Sequence, residues 1–105
     1  MAKLRGVFLL TLMIAVPAMA EDVRIDIKAF MFAPVDVHID AGARVTWFND
    51  DDDPHTVSET HKLFRSGALD TDQSFTYQFD SPGTFDYFCT LHPEMVGKIV
   101  VGAGQ

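Results

Sequence analysis

Phe75-Thr76-Tyr77-Gln78-Phe79-Asp80-Ser81-Pro82-Gly83-Thr84-Phe85-Asp86-Tyr87-Phe88-Cys89 alternates on both sides of a turn. Side chains on a strand point to opposite faces with a period of two. Phe75, Tyr77 and Phe79 therefore share one face, and Phe85, Tyr87 and Cys89 share another. Asp80-Ser81-Pro82-Gly83 between them has turn chemistry, with a preset φ at Pro and freedom at Gly. The pattern repeats upstream. Val23, Ile25 and Ile27 alternate with Arg24, Asp26 and Lys28, and Val35, Val37 and Ile39 do the same after Pro34. Ala41-Gly42 reads as a turn, Val45 and Trp47 open another strand, and Ile99 with Val101 form the last one. No segment offers a crossover helix, which excludes parallel α/β architecture. Short strands between turn signals predict an all-β chain, a small Greek-key β-sandwich or barrel of about seven to eight strands with antiparallel pairing.

A chain of 105 residues has room for one domain. Its first twenty residues read as a secretory signal peptide that is cleaved. Lys3 and Arg5 give a basic start, Gly6 to Val16 is almost wholly apolar, and Pro17-Ala18-Met19-Ala20 ends in a small-x-small pattern. The apolar run is shorter than the roughly 20 residues that span a bilayer, so no lasting membrane insertion is expected. The domain is then 21–105, with Glu21 as its first residue. It carries 6 basic and 15 acidic side chains, a balance of −9, which argues against a nucleic-acid partner. The one cysteine, Cys89, cannot form an internal disulfide. A lone thiol exported to an oxidising compartment is a liability unless buried or ligated, and so small a domain benefits from a staple.

Phe88-Cys89-Thr90-Leu91-His92-Pro93-Glu94-Met95 answers both needs. It sets a thiolate, an imidazole and a thioether at i, i+3 and i+6, leaving a strand for a tight loop. A second imidazole, His55, follows Pro54. Taken singly, Cys89 reads as a small buried hydrophobe, Met95 as core and His92 as surface. Together, Cys89, His55, His92 and Met95 are the ligand set of a trigonal copper site with a weak axial thioether, and zinc seldom uses a thioether.

Val45-Thr46-Trp47-Phe48-Asn49, Pro54-His55 and Gly83-Thr84-Phe85-Asp86-Tyr87-Phe88-Cys89 resemble the small blue copper proteins, the cupredoxins, across residues 23–102. The short Cys89–His92–Met95 loop has the spacing of the amicyanin-like members, within the plastocyanin and pseudoazurin group. The resemblance implies one type 1 copper ion, Cu(I)/Cu(II), on His55, Cys89 and His92 with Met95 axial. It implies a non-enzymatic, periplasmic one-electron carrier, a monomer that docks transiently with redox proteins such as a c-type cytochrome or an amine dehydrogenase. The alternative is a copper-delivery or storage protein, against which stands the scarcity of further Met residues in 21–105, where only Met31 lies outside the site. Leu91 and Glu94 replace the usual Pro and aromatic residue of the amicyanin loop, and Thr56 stands where Asn commonly follows the first His. Its hydroxyl is expected to bridge to the Cys loop. His38 is expected to face solvent, His61 to sit in a loop, Met31 to lie in the core or its apolar rim, and Trp47 to be core. Asp50 to Asp53 reads as a solvated loop, placed to steer a basic partner.

Overall fold

Eight strands form, six where the alternation predicts them and two where it does not. They are β1 (Asp22–Lys28), β2 (Met31–Ala33), β3 (Asp36–Asp40), β4 (Arg44–Asn49), β5 (Ser58–Glu59), β6 (Ser74–Gln78), β7 (Gly83–Phe88) and β8 (Val96–Gly102). The computed structural model describes Gly6, Leu10, Thr11, Leu12 and residues 21–103, so the signal peptide expected over 1–20 lies almost wholly outside the described residues. The strands make two four-stranded sheets, ordered β2-β1-β4-β6 and β3-β8-β7-β5. The short β2 and β5 were not expected. Three and two residues are too few for a period to show.

The pairing departs from the all-antiparallel expectation. β1 runs parallel to β4, with Ile25 opposite Trp47, and β3 runs parallel to β8, with Val37 opposite Ile99. A parallel neighbour needs a long crossover. Here the crossover from β1 to β4 passes through β3 of the other sheet, so no helix is required. Val35 also differs from its expected place. It precedes β3 and is exposed, while Val37 and Ile39 face inward.

The inward faces meet in one aromatic-rich core. Trp47 is fully buried, and its ring lies 5.6 Å from Phe64, 5.8 Å from Phe75 and 5.3 Å from Tyr87 between centroids. Tyr87 packs edge-on to Phe32 at 4.8 Å. Burial pushes the Tyr87 phenol up to about 12. Burying each such aromatic stabilises the fold by roughly 1.5–3 kcal/mol relative to exposure.

One buried carboxylate shapes the loop beside the second sheet. Glu59 Oε2 accepts the backbone N–H groups of His61 (2.6 Å) and Leu63 (3.0 Å), and Oε1 lies 3.3 Å from the His61 ring. Burial opposes its ionisation, but these donors outweigh it and hold the carboxyl below its usual range. A carboxylate with a lowered folded-state pKa stabilises the fold above its unfolded pKa, and the benefit is lost as pH falls through the folded value. Glu59→Ala is therefore expected to lose about 2 kcal/mol at neutral pH. Urea unfolding should show the gap to the wild type closing as the pH falls below the ordinary carboxylate range. A gap independent of pH would contradict this account.

Candidate metal centre

Two chain segments meet at one end of the sandwich. The first leaves β4 at Asn49, crosses the Asp-rich loop and reaches His55, which exchanges backbone hydrogen bonds with Leu69 (3.1 and 2.7 Å). The second leaves β7 at Phe88 and turns through Cys89, His92 and Met95 into β8. This turn is closed by its own backbone. His92 N–H donates to Cys89 O (3.2 Å), Met95 N–H to His92 O (2.9 Å) and Cys89 N–H to Met95 O (3.0 Å).

His55 Nδ1 lies 3.8 Å from Cys89 Sγ, and His92 Nδ1 lies 3.6 Å from the same sulfur. One donor atom from each of the three residues lies within 4.8 Å of the others. Metal–nitrogen bonds of about 2.0–2.1 Å and metal–sulfur bonds of about 2.3 Å put neighbouring donors at about this spacing. Cys89 and His55 are fully buried, His92 is half-buried, and Met95 is buried in the core cluster that holds Cys89. A soft thiolate with two imidazoles and a neighbouring thioether suits copper better than a hard cation.

The surroundings hold the donors in place before any ion arrives. Thr56 N–H lies 3.3 Å from Cys89 Sγ and can donate to it, and Thr56 Oγ1 lies 3.8 Å from the same sulfur. Thr56 Oγ1 also accepts Thr90 N–H (2.7 Å) and is 2.8 Å from Thr90 Oγ1. The hydroxyl thus bridges the His55 and Cys89 segments as expected. Both contacts converge on the sulfur and fix where it points, and it is as a thiolate that cysteine binds metal.

His55 is oriented from its other nitrogen. Its Nε2 lies 2.8 Å from Asp51 Oδ2, and the Asp51 side chain is only 13% exposed. The two Asp51 oxygens also accept the N–H groups of Ala29 (2.7 Å) and Phe30 (3.0 Å). Burial opposes ionisation of Asp51, but these donors together with His55 hold its carboxyl below the usual range. A carboxylate on Nε2 fixes the tautomer that leaves Nδ1 free to ligate. Asn49, fully buried, sets the loop. Its Nδ2 donates to Asp53 O and Leu69 O (both 2.9 Å), and its Oδ1 accepts Asp51 N–H (2.9 Å).

Of the loop expected to be solvated, Asp50, Asp52 and Asp53 fit and Asp51 does not, since it turns inward to His55. His38 faces solvent and His61 lies exposed in its loop, both away from the cluster. Met31 departs from its expected place, being 59% exposed and outside the core cluster, and Trp47 is core. The sequence reading missed Asp51, because a run of four aspartates offers no cue to which turns inward. It also missed Phe30, whose ring stands beside both imidazoles.

This sandwich, with a thiolate and two imidazoles converging at one end, defines a copper-type β domain, and the comparisons agree. Residues 4–101 match the cupredoxin-like domain family, and the chain belongs to it. Within the family it resembles the amicyanins. It is 37% identical over 94 residues to amicyanin-alpha of Methylorubrum extorquens, covering 80% of this chain and 75% of that one. It is 34% identical to the chloroplastic plastocyanin of Tetradesmus obliquus, covering 95% and 79% of the two. A solved amicyanin variant in its Cu(I) form superposes with a TM-score of 0.74 at 28% identity, covering 81% of this chain and 87% of that one.

Proposed function

We propose that the domain is a one-electron carrier holding one type 1 copper ion on His55, Cys89 and His92, with Met95 as axial ligand. The observation that carries this reading is the Cys89 sulfur set between two Nδ1 atoms at 3.6 and 3.8 Å. Copper bound there supplies a one-electron Cu(I)/Cu(II) couple. The protein's part is to keep its ligands still. Thr56 and Thr90 tie the two segments, Asp51 fixes His55, and the loop backbone fixes His92. Ligands held this way need little rearrangement when the charge of the centre changes, which favours fast transfer. The half-buried His92 gives the buried sulfur a short way to the surface.

Its place of work, on this reading, is the bacterial periplasm, supported by the signal pattern at 1–20. Its partners are redox proteins, such as a c-type cytochrome or an amine dehydrogenase, met transiently by a monomer. Exposed Asp52, Asp53 and Glu94 set a negative field near the site that speeds encounter with a basic surface. The test is direct. Purified 21–105 loaded with Cu(II) is expected to be intensely blue, to bleach on adding a reductant and to recover on reoxidation. A colourless Cu(II) complex rejects the carrier reading.

A further inference from the structure

Phe30 combines two unfavourable features. It is 45% exposed, and its backbone lies in the left-handed region at φ 59°, next to Ala29 at φ 52°. A non-glycine residue there crowds its Cβ against the following carbonyl, and such strain persists only where the surroundings fix it.

The surroundings here are the metal centre. The Phe30 ring centroid is 4.9 Å from that of His92 at 89° and 5.2 Å from that of His55 at 86°. One phenyl therefore stands edge-to-face with both imidazoles, a favoured geometry for aromatic pairs. Its backbone is tied to the same place, because Phe30 N–H donates to Asp51 Oδ2, the oxygen 2.8 Å from His55 Nε2. The carboxylate thus sets the position of the turn and of His55 together.

His92 differs from His55 in its hydrogen bonding as well as its exposure. Among the described residues, His92 Nε2 has no hydrogen-bond partner, and its ring meets only Phe30 and His55 as aromatic neighbours, the latter at 5.0 Å and 57°. We infer that Phe30 is a positioning residue for the centre, its ring holding the His92 imidazole as a hydrogen bond to Asp51 holds that of His55. The left-handed turn at Ala29 and Phe30 is what brings the ring over the site. This inference rests on the carrier reading above.

The test compares copper-loaded wild type with Phe30→Ala, Phe30→Leu and Phe30→Tyr, all screened for unchanged circular dichroism. Two quantities are read, the Cu(II) EPR spectrum and the rate of copper loss to a chelator. Phe30→Tyr keeps the ring and is expected to match the wild type in both. Phe30→Ala and Phe30→Leu are expected to alter the EPR hyperfine splitting and to release copper about tenfold faster, through the loss of the edge-to-face contacts with both imidazoles. A purely structural role would lower the melting temperature and leave the spectrum unmoved. A blue wild type with an unmoved Phe30→Ala, or a Phe30→Leu equal to wild type, overturns this inference alone. A colourless wild type overturns the carrier reading and this inference with it.

Discussion

Cys89→Ser is expected to leave the domain folded and to abolish both its colour and its stabilisation by copper. The serine oxygen fits the volume of the sulfur, and Thr56 N–H, 3.3 Å from Sγ, still finds an acceptor. The metal-free variant should therefore lose only about 1 kcal/mol. Its ligand chemistry changes far more. A serine hydroxyl stays protonated at neutral pH and is a hard, neutral donor, whereas the cysteine gives a soft anion. For the wild type, copper at a thousandfold excess over its dissociation constant adds about 4 kcal/mol to folding stability. In the variant that increment should all but vanish. Thermal melts of both proteins with and without Cu(II) check it. A blue Cys89→Ser complex, or an equal copper-dependent rise in melting temperature, would remove Cys89 from the ligand set.

Gly97→Ala should be the most damaging single methyl in the molecule. Gly97 lies opposite Tyr87 in the β7–β8 ladder, and a Cβ there would fall on the Tyr87 Cζ and Oη atoms. The backbone of Gly97 is not among the left-handed ones, so the glycine serves space and not conformation. Tyr87 has nowhere to go. Its ring is pinned between Trp47 at 5.3 Å and Phe32 at 4.8 Å. Overpacking a core this way costs about 3 kcal/mol, which for a domain of this size lowers the melting temperature by roughly 15–20 °C. Tyr87→Phe added to Gly97→Ala removes the oxygen and should recover part of the loss. A Gly97→Ala protein melting within a few degrees of the wild type would refute the packing argument.

The strands that the sequence showed are those with several apolar residues in alternation. Ile25 and Ile27 of β1, Val45 and Trp47 of β4, and Ile99 and Val101 of β8 all face the core. β5 was hidden because its two residues, Ser58 and Glu59, are polar yet buried, and Glu59 is satisfied by backbone donors that no pattern advertises. Parallel pairing was hidden because alternation says which face a residue takes, not which strand lies beside it. The proposed donors were legible for a local reason. Cys89, His92 and Met95 fall within seven residues, and His55 follows a proline at a loop end. Their supports were not, since Asp51, Thr56 and Phe30 come from three separate stretches and act through contacts that form only on folding. Thr56 was anticipated only through a family resemblance.

Strand β3 pairs with β8 from nearly the opposite end of the domain, and β1 reaches β4 only after the chain has visited the other sheet. Non-local topologies of this kind fold slowly, in milliseconds to seconds, because the entropy of closing long loops is lost before the contacts that reward it form. His55 follows β4 of one sheet while Cys89 and His92 lie between β7 and β8 of the other, so the three donors meet only once both sheets have packed together. Metal capture then follows folding instead of guiding it. The bound ion should act as a latch, slowing unfolding while leaving the refolding rate unchanged.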